Sequence, residues 1–152
     1  MWRLAAIADD ESIVAMCMAL NAEDPGPAPV HQSQVRRTLA RLRAEPFRGR
    51  ALVCEVDGHP AGYALLISFW SNELGGEVCV IDELFVRQAD RGRGLATALL
   101  TGLMDGQESL WAGKPVALAL EVSPANERAR AFYARLGFSG DNRSMRRPLP
   151  RP

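Results

Sequence analysis

Val86-Arg87-Gln88-Ala89-Asp90-Arg91-Gly92-Arg93-Gly94-Leu95-Ala96-Thr97 joins a strand-like run to a helix-like one. Upstream, 77–86 is rich in β-branched residues and reads as a strand. Downstream, Leu95, Leu99, Leu100, Leu103 and Met104 recur on one side of a helix expected over 95–110. Glycines at such a junction take left-handed angles and let the backbone approach a ligand closely. N–H groups of the first helical turn point outward at the positive end of the helix dipole, which makes an anion site suited to a pyrophosphate. Arg91 and Arg93 can add charge-assisted hydrogen bonds there. The rival reading is a tight turn with solvent-facing arginines. No Gly-Lys-Ser/Thr ending is present, so this is not a nucleotide-triphosphate loop. Position 97 is Thr and not the third glycine of a dinucleotide loop, and no acid at a strand end follows in a βαβ unit of the right length.

Working outward, 51–56 and 61–70 read as strands around the turn Asp57-Gly58-His59-Pro60, and a polar, glycine-containing turn over 71–76 leads into 77–86. Three strands joined by tight turns predict an antiparallel meander. Before them come a short strand over 2–7 and a helix capped by Asp9 or Asp10, with Ile13, Val14, Met16, Cys17 and Leu20 on its apolar face. Asp24-Pro25-Gly26-Pro27-Ala28-Pro29 cannot continue that helix. A second helix starts near Ser33, with Val35, Leu39 and Leu42 at helical spacing. After the phosphate-type loop and its helix come a strand over 116–122, a short helix over 126–136 ended by Gly137, and a final strand within 138–149. The order β-α-α-β-β-β-α-β-α-β predicts an α/β (α+β) fold, a mixed sheet with helices on its faces, in a single domain over 1–152.

Composition narrows the function classes. Hydrophobic residues make up 47% and charged residues 24%, which is globular and not disordered. Lys plus Arg is 18 and Asp plus Glu is 18, a balance that argues against a general nucleic-acid or membrane-surface binder. The start, with one Arg, a short apolar stretch and two acids, does not read as a secretory leader, and no apolar run is long enough for a membrane span. Cys17, Cys54 and Cys79 are odd in number and sit in dissimilar segments, which does not suit a disulfide framework. A cytoplasmic location is the expectation. His31 and His59 sit in no cluster with ligand spacing, so no metal is expected.

Arg91-Gly92-Arg93-Gly94-Leu95-Ala96 resembles the Arg/Gln-x-x-Gly-x-Gly/Ala signature of the GNAT superfamily of N-acetyltransferases. Ile81-Asp82-Glu83-Leu84-Phe85-Val86 looks like that family's fourth strand, and Asn126-x-x-Ala129-x-x-Phe132-Tyr133-x-x-x-Gly137-Phe138 resembles its second conserved block. The stretch from Trp70 to Gly94 looks most like the diamine (polyamine) acetyltransferase-type members. The resemblance implies a central, mostly antiparallel twisted sheet of roughly six to seven strands flanked by about four helices, with acetyl-CoA as cosubstrate and a homodimer as the assembly. By the same resemblance, backbone groups of Leu84, Phe85 and Val86 pair with the pantetheine arm. N–H groups from Arg91, Gly92, Arg93, Gly94, Leu95, Ala96 and Thr97 cradle the pyrophosphate. Asn126 bonds the cofactor arm, and Tyr133 protonates the departing thiolate.

Physical chemistry supplies a rival for several of these roles. Asn126 can simply cap its helix, and Tyr133 shares a helical face with Phe132 and Ala129 and can be core. A base for the amine is expected at Asp82 or Glu83, two acids in an otherwise apolar strand, and the alternation does not choose between them. Both can instead sit in structural salt bridges. For the acceptor, the first two helices, their loop and the turn after Trp70 are expected to form the site. Trp70 offers cation–π contact, Asn72 a polar contact and Glu23 an acid for a cationic amine. The expected activity is direct transfer of an acetyl group to a primary amine of a small, polyamine-like molecule. A protein or peptide amine is the alternative substrate, and a non-catalytic acyl-CoA-binding sensor is the alternative function.

Overall fold

The computed structural model describes residues 1–140 and 145–150, and the chain divides into two compact units, Met1–Glu121 and Val122–Pro152. In the first unit, β1 (Trp2–Leu4), β2 (Gly49–Val56), β3 (His59–Ser71), β4 (Gly76–Val86) and β5 (Ala117–Leu120) form one sheet in that order. β1 to β4 pair antiparallel, and β5 joins β4 in parallel. The first unit also holds α1 (Asp10–Glu23), α2 (Gln32–Ala44) and α3 (Leu95–Met104), and the second holds α4 (Glu127–Arg135).

The fold class is the expected mixed α/β one, but the sheet has five strands among the described residues, not six to seven. The missing strand is the one expected within 138–149. Residues 138–140 and 145–150 have no regular structure, and 141–144 lie outside the described residues. Pro148 and Pro150 explain part of this, because proline has no N–H to give to a ladder. β1 is also shorter than expected: exposed Ile7 already belongs to a 3-10 turn. The helix expected over 95–110 stops at Met104, where Asp105-Gly106 turns the chain and the Gly106 N–H donates to the Leu103 carbonyl at 3.2 Å. Leu110 and Trp111 prolong the helical pattern in the sequence, yet they are buried from a following turn, with the Trp111 indole N–H donating to Glu77 at 2.7 Å.

Side-chain alternation along β3 sends burial to both faces of the sheet. Tyr63 and Leu65 pack with Phe85 of β4 into one cluster with Ile13, Val14, Met16 and Cys17 of α1 and Val35, Leu39 and Leu42 of α2. Ala64 and Leu66 point the other way and are fully buried, as are Leu99 and Leu100 of α3. The Trp2 indole N–H donates to the Leu95 carbonyl at 2.8 Å and so ties β1 to the first turn of α3. Each fully buried leucine of this kind contributes roughly 1.5–3 kcal/mol relative to exposure.

The register of β4 contains the feature on which the site depends. Leu65 faces Glu83, whereas the next residue, Leu66, faces Ile81. Asp82 is therefore an extra residue, a β-bulge in β4. β5 pairs with β4 only from Val78 to Ile81. Beyond the bulge, β4 runs on to Val86 with β3 on one side and, among the described residues, no strand on the other.

Candidate active site

Beyond the bulge, the two edges of β4 are used differently. The Arg87 N–H donates to the Ala61 carbonyl at 2.8 Å, so Arg87 turns its backbone groups toward β3. In an antiparallel pair every second residue does the same, which assigns Phe85 and Glu83 to β3. Consistent with this, a Cβ built on Gly62 would stand 2.6 Å from the Phe85 carbonyl oxygen. Leu84 and Val86 then direct their N–H and C=O groups to the edge that β5 leaves uncovered. Phe85, between them, turns its backbone groups to β3. The Val86 carbonyl already accepts from Arg91 Nε at 2.9 Å.

That open edge leads into the glycine loop. Gly92 and Gly94 have φ of 79° and 75°, the left-handed region that glycine adopts without strain, and Gly94 is the residue before the first turn of α3. A Cβ at either would meet nothing within 4 Å, so no protein atom crowds that side of the loop. Leu95, Ala96 and Thr97 form the first turn of a ten-residue helix, where N–H groups have no carbonyl four residues back to bond. The site thus offers a row of outward donors at a helix dipole's positive end, without a β-carbon in the way.

Both arginines of the loop are engaged in ion pairs. Arg91 Nη2 donates to Glu23 Oε2 at 2.7 Å, and its guanidinium lies 5.6 Å from the Phe85 ring centroid. Arg93 Nη1 donates to Asp90 Oδ1 at 3.1 Å, and Nη2 lies 3.6 Å from Asp57. Asp90 is a buried acid, and His59 Nε2 stands 3.3 Å from its other oxygen. Glu23, expected to be available to a cationic acceptor, is thus taken by Arg91. Glu11 is likewise paired with Arg36. Trp70 and Asn72 are exposed, with Trp70 at the β3 end of the β3–β4 hairpin beside exposed Phe69. The loop between α1 and α2 borders a hollow of about 490 Å³ lined by Met18, Asn21, Ala22 and residues 25–30.

The two strand acids occupy different surroundings. Asp82, on the bulge, is exposed, whereas Glu83 is half-buried on the side of α1 and α2. The Tyr63 hydroxyl donates to Glu83 Oε2 at 2.7 Å, and the Cys17 thiol lies 3.6 Å from the same oxygen. Burial raises the Glu83 carboxyl above its usual range; the Tyr63 hydrogen bond pulls the other way, and the Asp82 charge adds to the rise. Burial likewise raises the Tyr63 phenol, and it pushes the Cys17 thiol up to about 11, so both remain protonated donors at neutral pH. Sequence alone does not mark Tyr63 and Cys17 as site residues. The local signal at each is that of a core position, and only the β3–β4 register brings them to the acid.

In the second unit, Asn126 Oδ1 accepts from the Ala129 N–H at 3.1 Å, so the side chain caps α4. The end of α4 explains the spacing of the block that contains Tyr133. The Gly137 N–H donates to the Ala134 carbonyl at 3.0 Å and the Phe138 N–H to the Tyr133 carbonyl at 3.1 Å, with Gly137 at φ 87°. This is a Schellman motif, and its usual apolar contact is the edge-on pair of Tyr133 and Phe138 rings, 5.6 Å between centroids. Phe132 flanks Tyr133 at 5.2 Å. Burial raises the Tyr133 phenol above its ordinary value. Among the described residues, no group of three or more His, Cys, Asp or Glu could hold a metal ion, and no helix is long and apolar enough to cross a membrane.

The bulged strand β4 and the glycine loop at the N-terminus of α3 sit in a mixed α/β fold. Residues 13–138 match the acetyltransferase (GNAT) family, and the chain belongs to that family. It is 39% identical over 87 residues to an uncharacterised N-acetyltransferase of Methanocaldococcus jannaschii; the match covers 57% of this chain and 37% of the relative, little more than a third of its length. A possible acetyltransferase from Clostridium difficile 630 has a similar structure, with TM-score 0.79, 19% identity, and coverage of 100% of this chain and 98% of that one. Ribosomal-protein-alanine N-acetyltransferase from Brucella melitensis biovar Abortus 2308 is also similar, with TM-score 0.71, 21% identity and 98% and 99% coverage. At these identities the structural likeness concerns the fold.

Proposed function

We propose that this chain transfers an acetyl group from acetyl-CoA directly to a primary amine, with residues 1–152 acting as one catalytic domain. The observation that carries this reading is the β4 edge beyond Ile81, uncovered by β5 and running into Gly92, Gly94 and the first turn of α3. An amide-bearing arm fits the outward groups of Leu84 and Val86 as an added strand would, and a pyrophosphate fits the donors from Gly92 to Thr97. Arg91 and Arg93 support phosphate binding once they turn from their present acidic partners.

Acetyl-CoA supplies an activated acetyl thioester; the chain supplies proton handling and orientation. Glu83 is the proposed base. Its half-buried carboxylate, held at a raised proton affinity, takes a proton from the acceptor's ammonium, directly or through water. The freed lone pair forms the new C–N bond as the C–S bond breaks. Tyr133 gives its phenolic proton to the departing sulfur, and the second proton that the nitrogen loses as the amide forms returns the phenolate to phenol through solvent. That role rests on its place in the Asn126 to Phe138 block and on a phenol that burial keeps protonated at neutral pH. Asn126 supports the cofactor arm by the same resemblance.

The acceptor class is a primary amine of a small molecule, polyamine-like on the resemblance of the Trp70 to Gly94 stretch, with Trp70 and Asn72 at its entrance. One observation favours a second acceptor, a peptide or protein amine. Glu23 and Glu11, two of the four acids near the expected acceptor site beside Asp24 and Glu73, are paired with arginines, and residues 25–30 border a largely apolar hollow. The family resemblance supports a cytoplasmic homodimer as the working form. The test is incubation with acetyl-CoA and a panel of polyamines, amino sugars, amino acids and peptides, following thiol release and product mass. One acetylated amine class formed in step with thiol supports the reading. Tight acetyl-CoA binding without product from any amine would favour an acyl-CoA sensor.

A further inference from the structure

We propose that Tyr63 is a positioning residue for Glu83, occupying Oε2 so that the acceptor's proton is taken at Oε1. The inference deepens the reading of Glu83 as the base and rests on it. Its ground is geometric. The Tyr63 hydroxyl, 2.7 Å from Oε2, belongs to a fully buried side chain on β3, and the Cys17 thiol approaches the same oxygen at 3.6 Å from α1. Tyr63 is fixed in turn by the Phe85 ring at 6.2 Å between centroids and by the apolar cluster of α1 and α2. Two donors from two elements on one oxygen hold the carboxylate's rotation, and neither touches Oε1.

The titratable groups that bear on Glu83 are Cys17 from α1, Tyr63 from β3 and Asp82 from its own strand; α2 contributes the apolar Val35, Leu39 and Leu42 to this cluster. A hydroxyl donating to a carboxylate favours the charged form. Tyr63 therefore favours the ionised form of Glu83, against the effect of burial. Without it the carboxyl holds its proton to higher pH and turns more freely.

The test follows the ¹³C resonance of the Glu83 side-chain carboxyl through a pH titration of the full chain, assigned by its loss in Glu83→Gln. Alongside it, the acetyl-transfer rate is measured against pH with acetyl-CoA and the amine selected by the panel. Tyr63→Phe keeps the ring and removes only the hydroxyl. It is expected to raise the titration midpoint and the acid limb of the rate profile together by about one pH unit. Introduced on top of Glu83→Gln, it should change the rate by less than about twofold, because its effect passes through the carboxylate. Cys17→Ala should raise the midpoint by less. An unmoved midpoint in Tyr63→Phe, or an equal loss of rate in both backgrounds, overturns the positioning role. Failure of the underlying reading looks different: Glu83→Gln would then keep the wild-type rate and acid limb.

Discussion

Arg91 reaches back from the glycine loop to Glu23 at the last turn of α1, donating a hydrogen bond of 2.7 Å across 68 residues of sequence. The pair is partly exposed, so its contribution to stability is small, about 0–1 kcal/mol. Its consequence for binding is larger in kind, because the guanidinium that would meet a phosphate is held by a carboxylate. Glu23→Gln is expected to leave thermal stability nearly unchanged and to tighten acetyl-CoA binding by roughly two- to fivefold, the binding equivalent of that pair energy. Calorimetric titration of both proteins checks it; weaker binding in the variant would show that Glu23 orients Arg91 for the ligand.

Gly94 separates conformational strain from ligand contact. Its φ of 75° penalises any β-carbon, but a Cβ there meets nothing within 4 Å in the protein. Gly94→Ala should therefore fold, at a cost of about 1–2 kcal/mol, and lose acetyl-CoA affinity by roughly tenfold or more as the methyl group stands where the ligand approaches. Gly75, with φ 63° and equally open surroundings in the β3–β4 turn, is the control. Gly75→Ala should show a similar shift in melting temperature with binding intact.

Much of the frame that holds this site is legible in the sequence. The β-branched run before Val86 and the Asp57-Gly58 turn each predict the element that forms within a few residues, and the leucine spacing after Gly94 predicts the start of α3 but not its end at Met104. The bulge at Asp82 is not legible, because it arises from how β4 registers against β3 and not from any local pattern. For the same reason the alternation of apolar residues leaves Asp82 and Glu83 equivalent in sequence, although one is exposed and the other half-buried. Tyr63 lies 20 residues and Cys17 66 residues from Glu83. Each sits in an apolar pattern that reads as core, and core is what both are, apart from the one atom each turns to the acid. Phe138 also shows the limit of local reading. A final strand is expected within 138–149, but the Phe138 N–H closes α4.

Glu83 gives the fold a pH dependence of defined sign. Its carboxyl titrates higher in the folded chain than the ordinary value of about 4.3 in the unfolded one. The folded state then binds the proton more tightly, so this group's stabilisation is complete below about pH 4.3 and is lost as pH rises through the folded midpoint. Glu83→Gln removes the loss. Denaturant unfolding of both proteins across this range should show the variant gaining on wild type as pH rises; a constant difference would mean that the carboxyl is not perturbed.

Asp90 is the buried anchor of the loop. It holds Arg93 at 3.1 Å and faces His59 at 3.3 Å. Asp90→Ala should cost about 2–3 kcal/mol through the loss of charge-assisted hydrogen bonds, seen as a lower denaturant midpoint. It should also weaken acetyl-CoA binding, because residues 91–94 lose the support that sets their path.

The measurement that bears most directly on the central claim is calorimetric titration of the full chain with acetyl-CoA, wild type beside Gly94→Ala. Saturable binding at one site in the wild type, lost or greatly weakened in the variant while Gly75→Ala binds normally, is the predicted result. No binding of acetyl-CoA to the wild type, or binding that Gly94→Ala leaves untouched, would contradict the assignment of the β4 edge and the α3 N-terminus as the cofactor site.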